Sequence, residues 1–264
     1  MRQLILENPR IDRGLITLSA KDYKYLRQVL RVKTGDMLNV RINGEELKQC
    51  TVASIDDKAR KILLQICADT INHKSVTRGV QANETNDAKN LNDHEYYLFQ
   101  FIPKAAKFEQ IVRQATECGI SVIVPVIGEY TEKSSLFALQ GNKKERLEKI
   151  IREARQQSGS PVQTKVLEPL SLAEALIFWK NQNGDLGLVL SERNEKSENL
   201  KDILSDNKNK KIAIAVGSEG GISPSEIDLL LEKGLFHAVH FAVNILRCET
   251  AALYGIAAVQ SALE

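Results

Sequence analysis

From Glu95 to the end of the chain, short apolar runs alternate with segments of helical periodicity. The runs EYYLFQFI, SVIVPVI, LGLVLS, IAIAV and HAVHFA are typical of strands that are buried on both faces of a sheet. Helices are predicted between or after them over residues 104–118, 142–157, 171–180, after Ser223, and from Glu249 onward. This alternation indicates an α/β domain in which helices cover both faces of a mainly parallel sheet.

Residues 1–70 have a different pattern, with shorter segments in which apolar and polar residues alternate. RQLIL, LITLS, DMLNVRI, CTVASI and KILLQI are predicted strands, and Asn43-Gly44 is typical of a tight hairpin turn. This part is predicted to be a small β-barrel or sandwich. The polar, asparagine-rich stretch 71–94 is predicted to be a linker, so that residues 95–264 form the second domain.

One segment of the first domain, AKDYKYLRQVLRVKTGD, is predicted to be a helix instead of a strand. Its apolar face would comprise Tyr25, Leu26, Val29 and Leu30, with Lys24, Arg27, Arg31 and Lys33 beside it. Residues 1–70 carry thirteen Lys and Arg against nine Asp and Glu, whereas residues 95–264 carry twenty against twenty-two. The basic cluster fits either a solvated helix surface or a surface that binds RNA phosphates, and charge alone does not decide between them.

Neither an exported nor a membrane protein is indicated by the composition. No apolar run approaches the length of a membrane span, and the N-terminal stretch MRQLILENPRIDRG lacks the pattern of a signal peptide. The four cysteines have no CxxC spacing, so we expect reduced thiols and a cytoplasmic protein. His237 and His240 form the only close histidine pair and are interpreted as ordinary strand-end residues, so no metal site is expected.

The segment AVGSEGGISPSEIDLLL places three glycines between a predicted strand and a predicted helix. Ser223, Pro224 and Glu226 form the pattern of a helix start with a capping box. A loop at the carboxyl end of a strand is where α/β proteins usually bind ligands. The spacing matches neither a dinucleotide nor a P-loop motif, and the charge of Glu219 would repel a phosphate. The loop therefore favours a ligand that presents donors or positive charge.

A second notable segment, FAVNILRCETAALYGIAAVQ, follows the next predicted strand. Ile245 and Leu246 would form an apolar wall, with Arg247 directly after them. Glu249 opens a helix that is rich in small residues. Taken alone, this segment is also explained by an Arg247–Glu249 ion pair and by tight helix packing.

Taken together, GSEGG with the following serine and glutamate, and ILRCETA, resemble the C-terminal motifs of the ribosomal RNA small subunit methyltransferase E family in the SPOUT superfamily. KAAKFEQIVRQATECGISVIVPV, EARQQSGSPV and LRQVLRVKTGD also resemble segments of that family, in the same order, so that the resemblance covers nearly the whole chain. The chain departs from the family pattern at a few positions, namely Ser218, Ala242, Ser160 and the pair Gln156-Gln157.

The resemblance implies a SPOUT-type parallel sheet with a C-terminal trefoil knot, preceded by a PUA-like β-barrel domain. It also implies a homodimer formed through the SPOUT domain. The implied activity is S-adenosylmethionine-dependent methylation of N3 of a uridine in 16S rRNA of the small ribosomal subunit. A catalytically inactive RNA-binding or ribosome-assembly protein with the same fold is the alternative, and tRNA specificity is disfavoured by the front domain.

The resemblance also implies roles for individual residues. The cofactor would be bound by Leu190, Ser191, Gly217, Glu219, Gly220, Gly221, Ala242, Ile245, Leu246 and Thr250. Glu219 would hold ribose hydroxyls or the loop itself, and Arg247 is the candidate catalytic residue, either stabilising charge on the base carbonyls or binding a phosphate or the cofactor carboxylate. Glu249 is a candidate general base. The RNA backbone would be held by Arg10, Arg13, Lys24, Arg27 and Arg31.

Overall fold

The computed structural model describes residues 3–67, 94–137, 139, 143–192, 197–205 and 210–263. They form two compact units, which are described separately. The first contains residues 3–67 together with Gln156–Pro161, and the second contains the other described residues. Except for His94, the predicted linker 71–94 lies outside the described residues, so the domain boundaries remain predictions. The contribution of Gln156–Pro161 to the first unit was not predicted.

The first unit is a six-stranded sheet in the order β1-β4-β5-β6-β3-β2. Its strands are β1 Gln3–Leu6, β2 Ile11–Asp12, β3 Leu15–Ser19, β4 Met37–Ile42, β5 Glu46–Asp56 and β6 Lys61–Ile66. Asn43 and Gly44 both have positive φ, 52° and 74°, and make the predicted hairpin turn between β4 and β5. Among the described residues, the pairing ends at β1 and the two-residue β2, so a closed barrel is not confirmed.

The predicted helix of this unit is present but is wound in two ways. The α-helix α1, Ala20–Lys24, continues into a π-helical turn, Tyr25–Leu30, which ends at Arg31 with a φ of 55°. Leu26 is fully buried in the core as predicted, but Val29 is 58% exposed. The prediction of a shared face is wrong for Val29, because i→i+5 hydrogen bonds wind the chain more loosely than an α-helix does.

The second unit is built on a parallel sheet, as predicted. Its strands are β7 Glu95–Phe101, β8 Val122–Ile127, β9 Lys165–Val166, β10 Leu170–Ser171, β11 Leu186–Leu190, β12 Lys211–Val216 and β13 Phe236–Val239. They are arranged in the order β10-β8-β7-β12-β11-β13, with β9 also paired to β8, and every pairing is parallel. The apolar runs predicted all the longer strands, whereas the two-residue strands β9 and β10 were not predicted.

Helices connect these strands close to the predicted positions. They are α2 Ala105–Glu117, α3 Lys133–Phe137, α4 Lys143–Ser158, α5 Leu172–Asn181, α6 Leu200–Leu204, α7 Pro224–Glu232 and α8 Cys248–Leu263. The five-residue helices α3 and α6 were not predicted, because each is shorter than the window in which helical periodicity is visible. None of the described helices has the length and apolar character needed to cross a membrane.

Alternate residues of the strands face two separate cores. On one face, Tyr97 and Phe99 pack edge-on against Trp179 of α5, with ring centroids 5.1 and 5.9 Å apart. On the other face, Leu98 lies in a cluster with residues of α2 and α8. Both faces of the sheet are therefore covered, by α5 on one side and by α2 and α8 on the other.

The small residues of α8 let the helix approach the sheet closely. A Cβ atom on Gly255 would lie 2.4 Å from Cδ1 of Leu190, and Ala252 is also buried. At the far end of the helix, Gln260 donates a hydrogen bond of 2.8 Å to the carbonyl of Cys118. Packing within the chain therefore accounts for Gly255 and Ala252, as the sequence interpretation of tight helix packing allowed.

Candidate functional site

Three neighbouring strands, β12, β11 and β13, end at the same edge of the sheet, and the loops that follow them enclose one cavity. Its volume is about 460 Å³, within the range of small-molecule sites. Its lining includes seven of the ten predicted cofactor residues, namely Leu190, Ser191, Gly217, Gly220, Gly221, Ile245 and Leu246. The two segments singled out in the sequence are thus brought together.

The glycines of the loop are required mainly by its own packing. A Cβ on Gly217 would lie 2.7 Å from the carbonyl carbon of Gly221, and one on Gly220 would lie 2.8 Å from Cβ of Tyr130. Gly221 has a φ of +79°, which favours glycine. Contacts within the protein therefore explain the absence of a side chain at Gly217 and Gly220.

The predicted capping box at the start of α7 is confirmed and has a further role. Ser223 Oγ accepts from the amide of Glu226, and Glu226 Oε2 accepts from the amide of Ser223 at 2.9 Å. The other carboxylate oxygen, Oε1, accepts from the amide of Glu129 at 2.8 Å. This bond holds the turn after β8, which places Tyr130 in the cavity wall with 46% of its surface exposed.

Glu219 supports the loop and is absent from the cavity lining. Its carboxylate accepts hydrogen bonds of 3.2 and 3.3 Å from the amide of Lys104, directly before α2. It also lies 3.5 Å from Nζ of Lys107, which in turn lies 3.4 Å from Oε2 of Glu249. Lys107 therefore joins the glycine loop to the start of α8. Of the two roles considered for Glu219, the contacts favour loop support.

Glu249 belongs to this ion-pair cluster and does not pair with Arg247. Partial burial acts to raise the pKa of Glu249, but hydrogen bonds from its own amide and from the Cys248 thiol, together with Lys107, outweigh burial and lower it. Burial and the Glu249 carboxylate raise the pKa of the Cys248 thiol to about 12. A carboxylate with a lowered pKa is a weaker base, so the geometry favours a structural role for Glu249.

The lowered pKa of Glu249 predicts a pH-dependent contribution to stability. The contribution is present above the ordinary value of 4.5 and is lost as the pH falls through the lowered value of the folded state. We expect Glu249→Gln to be less stable than the wild type by about 0.5–1 kcal/mol at pH 7, and by less at an acidic pH below the ordinary value of 4.5. Urea unfolding at both pH values measures it. Glu153→Gln, which removes an exposed pair with Lys149, is the control, and an equal effect there would contradict the prediction.

The remaining predicted residues of this region lie outside the cavity lining. Ala242, Thr250 and Arg247 are all exposed, so the side chain of Ala242, one of the departures from the family pattern, does not narrow the cavity. The carbonyl of Arg247 accepts from the amides of Thr250 and Ala251 at 2.8 and 2.7 Å, which anchors the start of α8. Among the described residues, the Arg247 side chain has no hydrogen-bond or ion-pair partner.

Sequence reasoning missed several residues that line the cavity, namely Tyr130, Glu192, Asp228, His240 and Phe241. Three of them follow strand ends directly or within two residues, at β11 and β13. The rule that ligands bind beyond the carboxyl ends of parallel strands could have found these three. No local pattern indicates Tyr130, because a contact with the distant Glu226 positions its turn.

The predicted RNA-binding residues of the first unit fall into two groups. Arg10, Arg13, Lys24 and Arg31 are exposed. Arg27 instead makes two 3.0 Å hydrogen bonds to the carboxylate of Asp57, which also accepts from Tyr23. The charge of Arg27 is therefore largely compensated within the unit. No group of three potential metal ligands occurs in the part of the chain that the structure describes.

Known proteins resemble this chain over most of its length. Residues 90–260 match the family model of the RNA methyltransferase domain. Ribosomal RNA small subunit methyltransferase E 2 of Borreliella burgdorferi is 29% identical over 272 residues, covering 100% of this chain and 98% of that protein. The corresponding Aquifex aeolicus methyltransferase is 34% identical over 155 residues, 58% of this chain and 63% of that protein.

A solved structure shares the fold. The crystal structure of a ribosomal RNA small subunit methyltransferase E from Neisseria gonorrhoeae, bound to S-adenosyl methionine, superposes with a TM-score of 0.72 at 24% identity. The match covers 99% of this chain and 97% of that one. The family match and the whole-length relatives agree with the motifs, and the chain belongs to the RNA methyltransferase family, among proteins of the small subunit methyltransferase E type.

Proposed function

We propose that this protein transfers a methyl group from S-adenosylmethionine to N3 of a uridine in 16S rRNA of the small ribosomal subunit. The observation that carries the proposal is the convergence of Ser191, the glycine loop and Ile245-Leu246 on a single cavity. The relatives named as small subunit methyltransferases and the cofactor bound in the Neisseria gonorrhoeae structure support it.

The cavity suits the cofactor in size and chemistry. Leu190, Leu246 and Ile222 provide apolar surface for a purine, while the backbone of the glycine loop provides polar groups. Glu192 and Asp228 also line the cavity, so two carboxylates face a ligand that carries a sulfonium and an ammonium. The sequence favoured a ligand with donors or positive charge because of Glu219, whereas here Glu192 and Asp228 supply the negative charge.

The bound cofactor supplies an electrophilic methyl group, and the residues of this chain align the acceptor with it. Arg247 directly follows the apolar pair at the cavity wall, and its guanidinium is exposed. There it would stabilise the negative charge that spreads over the uracil carbonyls as N3 loses its proton. A target base inside an RNA helix has to be flipped out before it reaches the cavity.

The finer features implied by the family are part of the same proposal. They are a trefoil knot in the second unit, a PUA-like role for the first unit, and a homodimer through the SPOUT domain. Two exposed apolar side chains near the cavity, Ile245 at 81% and Tyr254 at 40%, support a subunit contact there. Analytical ultracentrifugation tests the dimer, and a monomer at all concentrations would reject it.

The exposed basic residues of the first unit predict a salt-dependent affinity for RNA. We expect neutralising Arg10, Arg13, Lys24 or Arg31 one at a time to reduce the slope of log K against log salt by about one each. Arg27→Ala should change this slope less, because Asp57 already pairs with Arg27. Titrations of labelled 16S rRNA fragments at several salt concentrations measure the slope. Lys180→Ala, at an exposed lysine of α5, is the control.

Two measurements test the proposed function. Calorimetry with S-adenosylmethionine reports cofactor binding, and incubation with 16S rRNA or 30S particles followed by mass spectrometry reports the modified base. Binding together with a methyl group on N3 of a uridine supports the proposal. Binding without any RNA product would favour the RNA-binding or assembly protein, and a methyl group on another atom would correct the substrate.

A further inference from the structure

His240 follows β13 directly, and its half-buried imidazole forms part of the cavity wall. The sequence suggested only an ordinary residue at the end of a strand. In the fold, this strand end lies beside Leu190 and Ser191 of the neighbouring strand end and is followed by the wall residues Ile245 and Leu246. His240 therefore belongs to the part of the cavity proposed above to hold the purine nucleoside.

The hydrogen bond to Ser191 decides which ring nitrogen of His240 carries hydrogen. The amide of Ser191 donates to the carbonyl of Val239 at 2.9 Å, and the carbonyl of Ser191 lies 3.1 Å from His240 Nδ1. A carbonyl oxygen only accepts hydrogen bonds, so Nδ1 must carry the hydrogen. In the neutral ring, Nε2 then has the free lone pair and acts as an acceptor.

This bond also fixes the orientation of the ring. Because both backbone groups of Ser191 are bonded to residues 239 and 240, the imidazole is held between two paired strand ends. The result is a pre-oriented ring in the cavity wall, whose Nε2 is an acceptor in the tautomer that carries hydrogen on Nδ1. The carboxylates of Glu192 and Asp228 suit the charged methionine part of the cofactor, whereas a neutral acceptor suits the uncharged donors of adenosine.

We propose that His240 is a cofactor-recognition residue whose Nε2 accepts a hydrogen bond from a donor group of the adenosine portion of S-adenosylmethionine. The donor is either the exocyclic amino group or a ribose hydroxyl. This inference rests on the proposed function of the cavity.

The variant His240→Asn separates recognition from support of the fold. The asparagine amide occupies the place of Nδ1 and still donates to Ser191, but nothing replaces Nε2. We expect unchanged thermal stability and about tenfold weaker binding of S-adenosylmethionine and S-adenosylhomocysteine by calorimetry. His237→Asn is the matched control, because His237 lies on the same strand, bonds Glu198 at 2.8 Å and does not line the cavity.

Analogues of S-adenosylhomocysteine identify the donor. Those without the amino group, the 2′-hydroxyl or the 3′-hydroxyl are titrated into the wild type and into His240→Asn. The analogue that lacks the bonded donor should bind about tenfold more weakly to the wild type, and this loss should disappear in the variant. Equal losses in both proteins for every analogue would overturn the inference.

Nitrogen-15 spectra of histidine-labelled wild type give a readout that does not depend on any variant. The resonances of His240 should show hydrogen on Nδ1, and the Nε2 resonance should move when S-adenosylhomocysteine saturates the site. An unchanged Nε2 resonance would overturn the inference even if His240→Asn failed to fold. A wild type that binds no cofactor would reject the proposed function as well, whereas normal binding by a folded His240→Asn would reject only the role of His240.

Discussion

Replacing Arg247 by alanine should lower the rate of 16S rRNA methylation about 100- to 1,000-fold and leave cofactor affinity nearly unchanged. The guanidinium lies outside the cavity lining and is exposed beside the apolar wall. A group in this position contributes mainly when negative charge develops on the base, so the loss should appear in kcat. Single-turnover methylation and calorimetry on the same variant measure the two effects.

The three roles considered for Arg247 give different results in this experiment. Binding of an RNA phosphate would raise KM and leave kcat intact, and binding of the cofactor carboxylate would weaken cofactor affinity. Arg113→Ala is the control, because Arg113 is an exposed arginine on α2. An unchanged methylation rate in Arg247→Ala would remove Arg247 from the mechanism.

The second large effect is expected from Gly217→Ala, which should weaken cofactor binding about 10- to 100-fold. The added Cβ would lie 2.7 Å from the backbone carbonyl carbon of Gly221. A backbone atom cannot relieve this clash by rotation about a side-chain bond, as a flexible side chain can. The loop has to open, at a cost of about 1–3 kcal/mol that is typical of overpacking. Gly220→Val adds a larger side chain at a position where a Cβ alone would lie 2.8 Å from Tyr130 Cβ, and it should abolish cofactor binding.

A matched control separates loop opening from general destabilisation. Gly35→Ala places a methyl group in open space at a φ of +93°, so it should cost about 1 kcal/mol of stability without touching the cavity. Calorimetry with S-adenosylmethionine and thermal unfolding are compared for both variants. Wild-type affinity in Gly217→Ala would show that the closed loop does not shape the binding site.

Much of the fold was predictable because the sheet is buried on both faces. Apolar runs such as IAIAV predict strands without a knowledge of tertiary contacts, and Ser223 with Glu226 predicts the start of α7. The rule for strand ends then brings the glycine loop and Ile245 to the same edge. Short elements such as α3 and α6 have too few residues for a period, so local pattern could not indicate them.

The site was less predictable where long-range contacts decide what a residue does. Glu219 was expected to contact either ligand or loop, and only the positions of Lys104 and Lys107 favour the loop. Thr250 was expected at the cofactor from the family resemblance, but in the first turn of α8 it is exposed and lies outside the cavity lining. Val29 was misplaced because sequence periodicity does not distinguish a π-helical turn from an α-helical one.

The two carboxylate oxygens of Glu226 bind different parts of the protein. One of its oxygens secures the first turn of α7 and the other secures the amide of Glu129. Moving the Glu129–Tyr130 turn away from the cavity would break the hydrogen bond from the Glu129 amide and leave Glu226 bonded only at the helix start. The position of the turn that carries Tyr130 is therefore coupled, through a single side chain, to the start of α7.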